Sequence, residues 1–218
     1  MLEKRSSGFM FLGTSWAITL LLTVLVFFRF SPLMLADKWF LRFMIRTVSP
    51  HKTAFFNIVA FIGSPLVSIA LMLLIAIIVY LRRQTMMSAF IITILISGNV
   101  LLEIVKFAVH RARPATKLIA DTGFSFPSGH VFDTTLLVMI VGGLIWFYIS
   151  NPHIKIPLEI FLVLWVVVVT LSRLYLQVHY PSDVLGGCLY GISWWESVRR
   201  FFVSRLAKRP ELNFGRKL

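Results

Sequence analysis

Long apolar runs separated by short polar intervals make up most of the chain. Phe9–Phe28 and Ala54–Leu81 contain no Asp, Glu, Lys or Arg. Each reaches the roughly 20 residues that carry a helix across about 30 Å of hydrocarbon. The second is long enough to tilt, and Gly63 and Pro65 predict a kink within it. A third run, Met86–Val109, is interrupted only near its end by Glu103 and Lys106. A fourth, Val131–Ile149, carries Asp133 near its start, and a fifth, Ile156–Leu176, carries Arg173 at its far end. The sixth, Val184–Val203, is the weakest, because Glu196, Arg199 and Arg200 fall in its last turns. The pattern predicts an all-α polytopic membrane protein, with six transmembrane helices in one membrane-embedded domain over residues 1–218. An even number of spans puts both termini on one side. Between the first two runs, Asp37–Thr47 alternates aromatic and basic residues at helical spacing. That predicts a short interfacial helix, with a solvated loop as the alternative. Phe9–Phe28 follows Lys4 and Arg5 as the core of a signal peptide would. It is too long for one, and Met34-Leu35-Ala36 lacks the small residue of a cleavage site, so it is read as a retained helix.

Composition narrows the class further. With 58% hydrophobic and 14% charged residues, the chain carries more apolar surface than one small soluble core can bury. The net charge is +13, from 22 Lys+Arg against 9 Asp+Glu. Cations interleaved with apolar runs face anionic membrane lipids; they do not form a nucleic-acid stripe. The N-terminal tail, Arg82-Arg83, Lys155 and the tail from Arg199 to Lys217 place 12 cations on one side, against 10 on the other. Cytoplasmic termini in a plasma membrane follow from that bias. The basic tail is read as a contact for anionic lipid. The single cysteine, Cys188, excludes an intrachain disulfide and reads as a small packed residue.

Ionisable residues near membrane depth are costly, so their positions carry information. The third helix ends in Lys106 and runs into Arg113-Pro114; the fourth opens with Pro127-Ser128-Gly129-His130. The fifth ends in Ser172-Arg173, and the sixth is preceded by His179 and begins at Pro181-Ser182-Asp183. Alternating topology places all four ends on one face, the extracytoplasmic one if the termini are cytoplasmic. Pro127 and Pro181 suit first-turn positions. The N–H groups of Ser128 and Gly129 are then expected at the positive end of a helix, open to an oxyanion. Lys106, Arg113 and Arg173 can close around it, the two arginines as planar forks. Asp183, four residues after His179, is placed to accept one ring N–H and leave the other nitrogen as a nucleophile. His130 is placed to act as general acid and then base. Together these residues describe phosphoryl transfer through a phosphohistidine, with protein cations in the charge-stabilising role.

Three segments carry a resemblance: Lys106 to Arg113-Pro114, Pro127-Ser128-Gly129-His130, and Ser172-Arg173 through His179 to Asp183. In order, composition and spacing they resemble the tripartite signature of the type 2 phosphatidic acid phosphatases. The resemblance implies a metal-independent, cofactor-free lipid phosphatase. It also implies His179 as nucleophile, Asp183 as its orienter and His130 as acid/base. Lys106, Arg113, Ser128, Gly129 and Arg173 would hold the phosphate. Bacterial members act on undecaprenyl diphosphate, phosphatidylglycerol phosphate or phosphatidate, and family analogy slightly favours the prenyl diphosphate here. A lipid phosphotransferase, or a six-span transporter that binds an anion without cleaving it, remains the alternative. The transporter needs the cations but has no use for His179 held by Asp183. A metal at His179 and Asp183 lacks further ligands in the sequence. Asp133 lies outside the signature; it modulates His130, pairs with a cation, or is a first-turn carboxylate favoured by the helix dipole. Glu103 and Lys106 are spaced to pair, and His51, His110 and His153 read as structural.

Overall fold

The computed structural model describes residues 2–207, with side chains from 9 to 204. The tail cations Lys208, Arg209, Arg216 and Lys217 lie outside the described residues, and the side chains of Lys4, Arg5 and Arg205 lie outside those described. The described residues form eight helices and no strand: α1 (Leu2–Phe27), α2 (Ser31–Ile45), α3 (Pro50–Ile62), α4 (Pro65–Leu81), α5 (Thr85–Val109), α6 (Gly129–Tyr148), α7 (Pro152–Tyr175) and α8 (Pro181–Ala207). Proline opens α3, α4, α7 and α8, where the missing N–H costs nothing. Ser64 caps α4 by accepting from the Val67 N–H, and Asn151 caps α7 by accepting from the His153 N–H. Arg29, Arg83 and His110 take left-handed conformations just beyond α1, α4 and α5, ending each run.

The predicted kink at Gly63 and Pro65 is a full break. α3 stops at Ile62, and the Gly63-Ser64 turn restarts the chain as α4. A Cβ on Gly63 would sit 2.6 Å from Val169 Cγ2, so α7 crosses where only glycine leaves room. Five segments are long and apolar enough to cross a membrane: Phe9–Phe27, Pro50–Leu81, Thr85–Val109, Gly129–Tyr148 and Pro152–Tyr175. α8, the expected sixth, falls short on apolarity. Its packing explains why, because it lies against α1, α5 and α6 and turns little of its surface to lipid. α7 is the opposite case, presenting Phe161, Val163 and Leu164 outward.

Two seams hold α8. Toward α1 the seam is polar: Ser15 Oγ and Ser193 Oγ are 2.5 Å apart, and Thr19 Oγ1 lies 3.0 Å from Ser193 Oγ. Thr23 Oγ1 meets the Tyr190 hydroxyl at 2.9 Å, and Trp16 Nε1 donates to Ser197 Oγ at 2.9 Å. Hydrogen bonds of this kind join helices where lipid offers no hydrophobic drive. Toward α6 the seam is made of small residues. Cβ atoms on Gly187 and Gly191 would come within 2.6 Å of the Ser128 carbonyl oxygen and 2.9 Å of Thr135 Cγ2. Cys188 lies beside Val131, Leu174 and Val184, a packed residue as expected.

α2 starts six residues earlier than the predicted interfacial segment. Trp39 and Phe43 stack on its exposed side, with ring centroids 6.1 Å apart, while Leu41 and Asp37 are buried. Glu103 and Lys106 form the expected pair at 2.7 Å. Asp133 is fully buried and pairs with no cation; its Oδ1 accepts from Asn99 Nδ2 of α5 at 3.0 Å. His51 and His153 are exposed, and His110 packs against Phe124 with centroids 4.2 Å apart and the rings tilted at 53°.

Candidate active site

The ends of α5 and α7, the starts of α6 and α8, and the 110–128 loop meet at one end of the bundle, as alternating topology requires. His179, in the short link between α7 and α8, is 1% exposed. Its Nδ1 lies 2.8 Å from the Ser125 carbonyl oxygen, which can only accept. The ring proton is therefore on Nδ1, and Nε2 carries a lone pair. Burial pulls the His179 pKa down to about 4, with the Asp183 interactions opposing and Arg173 and Arg113 reinforcing. The ring is neutral at pH 7. Asp183 Oδ2 stands 3.6 Å from Nδ1, beyond a hydrogen bond, so the expected direct Asp183 contact is replaced by the Ser125 carbonyl. The carboxylate is instead held by Ser125 Oγ, the Tyr180 N–H at 2.8 Å and Arg111 at 2.6 Å.

The anion cradle at the start of α6 differs in detail from the prediction. Ser128, not Pro127, borders the helix: its carbonyl accepts the first helical bond, from Phe132 N at 3.0 Å. Pro127 therefore precedes the cap and follows a cis Phe126-Pro127 peptide bond. The Ser128 N–H is not open, because it donates to the Asp183 carbonyl at 3.0 Å. That bond ties the start of α6 to the start of α8. What remains toward the site is the Ser128 hydroxyl, fully buried with no hydrogen-bond partner, and the first-turn amides from Gly129 onward. Lys106 Nζ lies 3.6 Å from where a Gly129 Cβ would stand, which puts the ammonium over the helix start. His130 lies within electrostatic reach of Arg173, His179, Arg113 and Lys106. Pro181 opens α8 as expected.

Arg113 NH1 donates to His179 Nε2 and to the Val178 carbonyl, both at 3.0 Å. Its Nε donates to the carbonyls of Thr122 and Gly123 at 3.1 and 3.2 Å. Arg173, 1% exposed, leaves its Nε without a partner. Both guanidiniums close on one carboxylate, Asp121: Arg113 NH2 at 3.1 Å from Oδ1, and Arg173 NH2 on Oδ2. The residues selected from sequence thus converge.

Four further residues complete the site and were not selected. Arg111 bridges Asp37 and Asp183 with contacts of 2.6 Å each, and stacks over Tyr180 at 4.2 Å. Asp37 also accepts from Ser182 N at 3.0 Å and Ser182 Oγ at 2.5 Å, so α2 caps α8. Ser125 and Asp121 lie in the loop. Only Arg111 had a sequence signal, its place two residues before Arg113 in a cation-rich helix end.

This arrangement has counterparts. The sequence model of the PAP2 superfamily matches residues 87–206, more than half of the chain and all three site segments. Phosphatidylglycerophosphatase B of Bacillus subtilis is 28% identical over 125 residues, covering 56% of this chain and 61% of that protein. Phosphatidylglycerophosphatase B of Escherichia coli K12 is 35% identical over 74 residues, covering 34% of this chain and 26% of that one. The chain therefore matches less than two thirds of the length of either relative. In fold, a transmembrane PAP2-type phosphatidylglycerolphosphate phosphatase from Bacillus subtilis superposes with a TM-score of 0.77 at 22% identity, over 91% of this chain and 98% of that one. Aquifex aeolicus LpxE superposes with a TM-score of 0.59 at 23% identity, over 75% and 94%. With its three motif segments gathered at one end of an all-helical bundle and inside the matched region, the chain belongs to the PAP2 superfamily.

Proposed function

We propose that this protein is an integral-membrane lipid phosphatase that hydrolyses a terminal phosphate through a phosphohistidine on His179. The observation that carries this reading is the tautomer of His179. A neutral buried ring, with its proton fixed on Nδ1 by the Ser125 carbonyl, presents its lone pair to the Arg113 guanidinium. An anion-binding transporter has no use for that lone pair.

The steps follow from the geometry. A phosphoryl group enters among Arg113, Arg173, Lys106, the Ser128 hydroxyl and the first-turn amides of α6 at Gly129. Arg113 NH1 then moves from Nε2 to a phosphoryl oxygen. Nε2 attacks phosphorus, the P–O bond to the lipid breaks, and His130 gives its proton to the departing oxygen. The ring becomes cationic, and the Asp183 carboxylate beside Nδ1 stabilises it. Water, deprotonated by His130, then attacks phosphorus and breaks the P–N bond, releasing phosphate and restoring both histidines. Charge on the equatorial oxygens is met by the three cations.

Phosphatidylglycerol phosphate is the leading substrate, on the names of the relatives, ahead of undecaprenyl diphosphate and phosphatidate. The bundle acts as one domain, with the site toward the extracytoplasmic face, on the charge bias of the loops. Purified protein in detergent with EDTA is expected to release phosphate from at least one of these three lipids, and His179→Ala to abolish release. Absence of release from all three, with the protein folded, rejects the hydrolase. Release that survives His179→Ala rejects the phosphohistidine.

A further inference from the structure

We infer that Asp121 is a specificity-determining residue: its carboxylate occupies the guanidinium pair of Arg113 and Arg173, and only a phosphate with three terminal oxygens displaces it. The inference rests on the proposed phosphatase reading. A site of this kind in a membrane faces a particular competitor. Phosphodiester headgroups surround it at high local concentration, and each carries one negative charge on two non-bridging oxygens. A buried arginine and a part-buried one would bind such a group well.

Asp121 meets that problem in kind. Its two oxygens take Arg113 NH2 and Arg173 NH2, the contacts that a diester's two oxygens would seek. It is tethered, since Lys117 Nζ donates to its carbonyl at 2.9 Å, and Arg113 Nε holds the two residues that follow it. A tethered group acts at an effective concentration on the order of millimolar or more. A diester offers no more charge and no more acceptors than the carboxylate it must expel. A terminal phosphate offers a charge near −2 and a third oxygen. The structure also holds two buried donors that Asp121 leaves unmet, Arg173 Nε and the Ser128 hydroxyl. A third oxygen is what can engage them. Asp121 stands on a loop and is 19% exposed, whereas Arg173 is helical and 1% exposed, so the carboxylate is the partner placed to move. The alternative role, a fixed brace behind the arginines, predicts the opposite effect on binding.

The test compares wild type, Asp121→Asn and Asp121→Glu in detergent micelles. Inorganic phosphate affinity is measured by titration calorimetry, and inhibition of phosphate release is measured with phosphatidylmethanol, a diester lipid. Asp121→Asn is expected to bind inorganic phosphate about tenfold more tightly and to become inhibited by the diester, while Asp121→Glu keeps wild-type discrimination. Weaker or unchanged phosphate binding in Asp121→Asn, with the diester still ignored, makes Asp121 a brace and overturns the inference. Loss of discrimination in Asp121→Glu as well overturns it too. If Asp121→Asn does not fold, hydrogen exchange on wild type decides. Residues 117–124 must exchange faster when inorganic phosphate is bound, and unchanged exchange overturns displacement. Phosphate binding does not need turnover, so a protein that binds phosphate as expected but releases none fails the proposed function and not this inference.

Discussion

Gly187→Ala tests how tightly the site depends on one helix crossing. The added Cβ would stand 2.6 Å from the Ser128 carbonyl oxygen, 3.2 Å from Phe132 N and 3.2 Å from Val131 Cβ. Two of these are backbone atoms, which cannot swing aside. Reaching the 3.4 Å of ordinary contact requires the start of α6 to move by about 0.8 Å relative to α8. That movement is resisted by the Ser128 N–H bond to the Asp183 carbonyl, so strain falls on the junction that positions the cradle and the nucleophile. Overpacking of this size costs about 1–3 kcal/mol of stability. A misplacement approaching 1 Å costs on the order of 100-fold in rate. The assay is kcat for phosphate release alongside the melting temperature in detergent. Gly191→Ala is the comparator, because it meets Thr135 side-chain atoms deeper in the bundle and is expected to lower stability with a smaller loss of kcat. Gly142→Ala meets only the Glu159 side chain, which can turn away, and is expected to change neither. A Gly187→Ala protein with kcat within threefold of wild type and an unchanged melting temperature would refute the reasoning.

Three other outcomes follow from single groups. Ser128→Ala removes a buried hydroxyl that has no hydrogen-bond partner within the protein, so the melting temperature should hold or rise, while the KM for a lipid phosphate rises about tenfold, from a lost bond of about 1–1.5 kcal/mol. A fall in melting temperature with an unchanged KM contradicts this. Arg111→Met leaves Asp37 and Asp183 buried without their shared cation, for an expected loss of about 3–5 kcal/mol, read by denaturant unfolding. The variant Asp37→Asn with Arg111→Met should recover part of it. His179 has a folded pKa near 4, below its ordinary 6.5, so its ring stays neutral as pH falls from 7 to 5. The stability this contributes is complete above pH 6.5 and is lost progressively as pH falls toward 4, because the unfolded chain takes up the proton first. Ring nitrogen NMR should show unprotonated Nε2 at pH 5; a midpoint near 6.5 would contradict the buried neutral ring.

What sequence reveals here depends on the range of the signal. His179, His130, Asp183 and the three cations stand out because each is a polar residue at the edge of an apolar run, and alternation of spans alone gathers those edges at one end. Asp37 stands in a stretch of aromatic and basic residues and reads as facing headgroups. Its burial follows only from α2 docking across the start of α8, a contact between residues 145 positions apart. Asp121 likewise has no local signature, since its meaning lies in two arginines brought from α7 and from the loop. The break at Gly63 was visible as a kink but not as two helices, because the crossing of Val169 that requires it is tertiary. α8 reads as the weakest span because of Glu196, Arg199 and Arg200, and only the fold shows that these three pair with one another on a helix packed on several sides.

The hydroxyl seam between α1 and α8 also bears on how the bundle is made in the membrane. These are the first and last helices described, so Ser15 and Thr23 enter the bilayer while their cross-helix partners Ser193 and Tyr190 are still to follow in the chain. Thr19 and Thr23 each bond back to a carbonyl four residues earlier, at 2.8 Å, which shelters their protons from lipid in the meantime. Joining the seam docks α1 onto a helix that also packs against α5 and α6. A chain arrested before Ser193 would keep its first helix in the bilayer yet leave the bundle open along that side.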